Sequence, residues 1–231
     1  MTAPNGPAAP LPWLLLLLSV TTGLVDAISV LGLGKVFTAN MTGNIVFLGF
    51  AAVGTPGFHA LSYLAAIAAF LIGALVAGRV GRHHVGLPLR RWLMVAALAE
   101  AVLLWIAAGV ATGFDIASQS PGSALYAIIA LTGLAMGFRN ATVRQLKVPD
   151  LTTTVLTLTL TGLAADSALA GGSSPNRGRR IGGVAAILLG AAIGALLVNR
   201  AGLVAPLILS GALVLFGTAA CALHPDAKAP A

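Results

Sequence analysis

The 13 basic and 6 acidic side chains of this 231-residue chain fall mostly in short clusters. The apolar stretches between the clusters are about 20 residues long, the length that crosses a bilayer as a helix. That spacing excludes a water-soluble core. Only 8% of the residues are charged, against roughly 25% in a soluble domain. An all-α, polytopic membrane protein is expected, with the lipid bilayer as its first partner.

A pI of 10.8 and a net charge of +7 would suggest nucleic acid in a soluble domain. No basic stripe with interleaved aromatics is present, so no nucleic-acid partner is expected and the excess Lys and Arg read as topology determinants. One cysteine, Cys221, excludes an intramolecular disulfide and a four-Cys zinc site. His83-His84 lack partners at ligand spacing, so neither a metal nor a cofactor is expected. Without a nucleophile elbow, a phosphate loop or a His-Glu-x-x-His pair, the chain does not read as an enzyme.

Residues 1 to 10 read as a disordered tail and 224 to 231 as a C-terminal tail. Pro12 suits the first turn of a span that runs to about Leu33. Val25-Asp26-Ala27 loosely resembles a signal-peptide cleavage site, but the tail has no Lys or Arg and the apolar run continues past it, which favours a retained span. Five further spans are expected, at about 58 to 78, 91 to 111, 122 to 142, 181 to 199 and 202 to 222. Segments 36 to 52 and 151 to 168 are short for spans and rich in Thr, Asn and Gly. They are expected to be re-entrant or broken helices that meet near the midplane around a protected polar cavity.

Six spans with both termini inside place 11 Lys and Arg in the cytoplasm and 2 outside, whereas eight spans give 9 against 4. The positive-inside rule favours six. Each half reads as span, short polar segment, span, span, with Gly23 to Ala27 resembling Gly137 to Ala141. Three spans per half would invert the second half, a 3+3 inverted repeat with boundaries at 11 to 113 and 114 to 223.

Asp26, about fifteen residues into the first span, and Glu100, mid-span, are costly in lipid unless paired, which makes both candidate proton-coupling groups. Asp166 reads as solvated. Arg139 either snorkels to the interface or faces the cavity beside Asn140, the position matching Asp26. Asn40 and Asn44 share one helical face, as do Thr38 and Thr42, and Thr153, Thr157 and Thr161 form a similar ladder. Asp26, Asn40, Thr42, Asn44, Arg139, Asn140, Thr153, Thr154 and Thr157 are therefore the candidate substrate-binding residues. Asp150 suits an N-cap.

Asp26-Ala27, Val36-Phe37-Thr38-Ala39-Asn40-Met41-Thr42-Gly43-Asn44, Gly137-Phe138-Arg139-Asn140-Ala141 and Val148-Pro149-Asp150-Leu151-Thr152-Thr153 together resemble the signature of the YoaK-like family. The resemblance covers nearly the whole chain. It implies a bacterial multi-pass inner-membrane protein in a family of unknown function, and it carries over no substrate or catalytic residue. The expectation from the residues is a secondary transporter or permease for an unidentified small molecule. The competing reading is a non-transporting sensor or assembly component whose polar residues lock helices together, and a homo-oligomer stays open.

Overall fold

The computed structural model describes residues 11–84, 86–146, 156–174 and 176–224. Eight α-helices carry them: α1 (Leu11–Gly32), α2 (Met41–Ala52), α3 (Ala60–His83), α4 (Leu89–Ala111), α5 (Gly122–Leu146), α6 (Leu156–Ala165), α7 (Arg177–Ala201) and α8 (Val204–Leu223). Six of these are long and apolar enough to cross a membrane. At 1.5 Å per residue the 12 residues of α2 extend about 18 Å, short of the roughly 30 Å hydrocarbon core.

The spans are apolar on all sides, so residue size decides which face turns inward. On α3 the buried residues include Ser62, Ala66, Ala69, Gly73, Ala77 and Gly81, while Leu61, Leu64, Leu71, Ile72, Leu75 and Val76 are exposed. α7 repeats the pattern, burying Gly183, Ala186, Gly190 and Gly194 and exposing Leu188, Leu189 and Leu196. Lipid solvates large aliphatic side chains as well as a protein core does. Close van der Waals approach of backbones across small residues is what remains to join helices.

Two pairs of parallel helices result. α1 packs on α7, with Gly23 against the Ile187 carbonyl and Gly190 against the Val20 carbonyl; α3 packs on α5, with Gly137 against the Phe70 carbonyl and Gly73 against the Leu134 carbonyl. α4 joins the pairs by packing on both α5 and α8, and α8 also lies on α1. The two sequence halves therefore interlock rather than forming separate bodies.

Crossing directions fix the course of the chain. Trp105 Nε1 donates to the Ile208 carbonyl (3.2 Å), whereas Leu93, at the other end of α4, shares a cavity with Thr218, so α4 and α8 are antiparallel. Eight complete crossings would make them parallel. Leu33, Gly34 and Lys35 line the same pocket as His59 and Ser62, so α1 ends where α3 begins and the stretch containing α2 enters and returns. Arg180 near the start of α7 pairs with Asp166 just after α6 (2.7 Å). α5 ends and α7 begins at the arginine-rich end of the bundle, so the stretch containing α6 turns back from that side.

The expected meeting of the two short segments is corrected: among the described residues α2 packs on α3 and α6 on α7, and no packed interface joins α2 to α6. Each short helix docks on the span next after it. For α2 the seal is aromatic, with Phe47 stacked on Phe37 and in ring contact with Phe50, Phe58 and Tyr63.

Candidate functional site

Arg139 comes from the inner face of α5, on the turn after Gly137 lets that helix press against α3. It is 2% exposed, which decides against a snorkelling side chain. Nη2 donates to Glu100 Oε1 on α4. Nη1 donates to the Leu18 carbonyl and to Thr22 Oγ1 on α1, both at 3.1 Å. One guanidinium thus ties α1, α4 and α5 together, the fork geometry that distinguishes Arg from Lys.

Asp26 lies one turn beyond Thr22 on the same face of α1. Its carboxylate meets the backbone N–H of Ala39 and feels the Arg139 charge, yet Oδ1 is buried without a protein hydrogen-bond partner. Arg139 Nε is likewise buried and unpartnered. Ala39 belongs to the extended stretch before α2, so the first turn of that helix starts beside Asp26. A helix N-terminus favours negative charge. The centre therefore holds one guanidinium, two carboxylates, one unused donor and one unused acceptor.

A cavity of about 20 Å3, enough for roughly one water by the usual volume criterion, reaches Glu100 and Arg139 from the arginine-rich end past Val143, Thr142 and Thr218. Towards the opposite end Ala39 and Tyr63 belong to the buried apolar core, with Phe37, Phe47 and Tyr63 in ring contact. The arrangement can hold a proton or a small polar group between charged side chains, and the cavity gives access to Glu100 and Arg139.

The structure pairs Glu100 with Arg139 and leaves Asp26 one turn from Thr22, within reach of the Arg139 charge but not ion-paired with it; it disperses the other candidates. Asn44 is buried, but both ends of its amide bind Phe37: the Phe37 N–H donates to Oδ1 (2.9 Å) and Nδ2 donates to the Phe37 carbonyl (2.5 Å). This closes the turn before α2. Asn140 is half-buried and donates to the Met136 carbonyl of its own helix (2.9 Å). Asn40, Thr42 and Thr157 are exposed. Thr153, Thr154 and Asp150 lie outside the described residues. Asp166 is half-buried and paired with Arg180 rather than simply solvated.

Sequence reasoning missed Thr22, although its i, i+4 spacing from Asp26 was the available signal. It also missed the buried, unpartnered Tyr63 hydroxyl, and the helical face expected for Thr38 and Thr42 is corrected: Thr38 lies before α2 and is buried with Oγ1 unpartnered, while Thr42 is exposed. The Leu18 carbonyl, which accepts from Thr21 (3.0 Å), Thr22 (2.8 Å) and Arg139, leaves no mark in a sequence. Among the described residues no three His, Cys, Asp or Glu side chains gather as a metal site would require.

A family model described as protein of unknown function (DUF1275) matches residues 14–220. The UPF0700 transmembrane protein YoaK of Bacillus subtilis (strain 168) is 35% identical over 157 residues, covering 66% of this chain and 65% of that protein, a little under two thirds of its length. No solved structure matches.

Proposed function

The chain belongs to the DUF1275 family of proteins, and from that premise and the buried charge centre we propose that it is a secondary transporter for a small polar solute. The carrying observation is the Asp26–Arg139–Glu100 cluster inside the spans. Charged groups at such depth are costly, by about 2.5–3.5 kcal/mol each on insertion scales, and are retained chiefly for function. One guanidinium faces two carboxylates, so a proton or a cationic group completes the charge balance. Protonation of Glu100, the carboxylate that accepts from Arg139, would free hydrogen-bonding capacity on the guanidinium for a solute.

The frame supports alternating access. Gly23 and Gly137 have the same sequence separation as Val20 and Leu134, and Gly73 and Gly190 the same as Phe70 and Ile187. The crossing of Gly23 with Ile187 and Gly190 with Val20 is therefore matched, residue by residue, by Gly137 with Phe70 and Gly73 with Leu134. The short segments return from opposite ends. We read this as a 3+3 inverted repeat, halved near residue 113, with the charge centre where the halves meet. In this reading the protein sits in a bacterial inner membrane with both termini cytoplasmic and performs no covalent chemistry.

A second reading has its own observation: Arg139 bridges three helices, as a structural lock would. Proteoliposomes holding a pH-sensitive dye, challenged under an imposed potential with small acids, amines and amino acids, separate the two. A transporter gives solute-dependent proton flux that Asp26→Asn abolishes while the variant stays folded. Absence of flux for every class, with wild-type protein folded, would favour the lock.

A further inference from the structure

At the end of the bundle opposite the arginine-rich one lies a second cavity, of about 260 Å3, lined by Lys35, His59, Ser62, Gln119, Leu125 and Tyr126 among others. Four separate stretches build it: the end of α1, the starts of α3 and α5, and the loop between α4 and α5. Its polar lining is the Lys35 ammonium, the Ser62 and Tyr126 hydroxyls, the His59 ring and Gln119, whose Oε1 is a buried acceptor without a protein partner. The Lys35 ammonium lies 5.2 Å from the centre of the Phe58 ring, and no carboxylate pairs with it among the described residues. Asp115, in the same loop as Gln119, is committed to the Ala117 and Ser118 amides and the Ser118 hydroxyl.

The backbone is held in an uncommon form to shape this wall. Lys35 (φ +64°) and Gln119 (φ +51°) are both left-handed although neither is glycine, a conformation costing of order 1 kcal/mol or more that persists where surroundings impose it. Gln119 Nε2 donates to the Gly32 carbonyl (3.0 Å) and the Ile116 carbonyl (2.6 Å), tying the loop to the end of α1. Gly34 is left-handed too (φ +75°), where a side chain is strained by the backbone itself, and a Cβ there would press on Gln119 Oε1 at 3.3 Å.

From these observations we infer that the cavity binds the carboxylate of a small organic anion. Lys35 supplies the charge, the Ser62 and Tyr126 hydroxyls donate beside it, and Leu33 and Leu125 cover the hydrocarbon part. The inference deepens the transporter reading by naming a solute class. It rests on that reading only for the steps after binding.

The test exploits the chain having three lysines, Lys35, Lys147 and Lys228. Protein in nanodiscs, where both faces are open to reagent, is acetylated with a water-soluble N-hydroxysuccinimide ester and each lysine is followed by mass spectrometry. Acetate, benzoate, inorganic phosphate and the uncharged benzamide are each added at about ten times a weak-site Kd, near 10 mM. Either carboxylate should slow acetylation of Lys35 about tenfold, as occupancy at that excess requires, and leave Lys147 and Lys228 unchanged. Tyr126→Phe should weaken that protection, read as the ratio of its rates with and without carboxylate. Unprotected Lys35 in both carboxylates, equal protection by benzamide, or protection by phosphate alone would each overturn the assignment. Because nothing accumulates in a nanodisc, loss of transport and loss of this site are read separately.

Discussion

Arg139 of α5 and Glu100 of α4 form an ion pair whose side chains are 2% and 4% exposed, and the same guanidinium holds two acceptors on α1. Removing one partner strands the other charge, whereas removing both strands neither, with Asp26 alone losing the Arg139 charge. Glu100→Leu or Arg139→Leu alone should lower stability by about 3–5 kcal/mol, while the double substitution should recover most of that loss. Thermal unfolding in detergent checks this. If the pair is also the transport centre, the recovered double variant stays inactive.

The two glycine crossings should fail alike. Gly23→Leu drives a side chain into the Ile187 carbonyl and Gly137→Leu into the Phe70 carbonyl, so each should destabilise by at least about 1–3 kcal/mol, the range for overpacking. Gly78 on α3 has open space around a Cβ, and Gly78→Ala should be neutral or gain up to about 1 kcal/mol from helix propensity. Fluorescence-detected size exclusion after graded heating ranks the three.

Topology has a direct readout. In a Cys221→Ala background, an impermeant maleimide added outside intact cells should label Thr55→Cys, near the Lys35 end, and leave Lys228→Cys unlabelled until the membrane is opened. The reverse pattern would invert the orientation inferred from the arginine-rich end.

In the loop between α4 and α5, the Ser118 hydroxyl, together with the Ala117 and Ser118 amides, holds the Asp115 carboxyl below its usual range. A depressed carboxylate contributes order that is complete above the unfolded value, about 3.9, and lost as pH falls through the lower folded value. Amide exchange over 115–120 should therefore stay slow at neutral pH and speed up only below about pH 4, beyond the intrinsic change of exchange with pH. Asp115→Ala should show the faster exchange at neutral pH while the spans remain protected.

Apolar run length and charge placement made six spans, two short interrupting segments and the arginine-rich end legible in the sequence, because the thickness of a bilayer and its surface charge act on each segment separately. Asp26, Glu100 and Arg139 stood out for the same reason: a charge in lipid is costly whatever its neighbours. Which of the polar residues meet was settled only by tertiary packing. Spans that are apolar on every side carry no pattern saying which face turns inward, and contact depends on where backbones can approach, at Gly23 with Ile187 and Gly137 with Phe70. Those crossings set the depth and rotation of α1 and α5, and with them the meeting of Arg139 with Glu100 and Thr22. Asn44 and Asn140 looked equivalent to these residues in one dimension, but each found a backbone partner nearby, at Phe37 and Met136, because a short amide reaches local carbonyls before it can reach across a bundle.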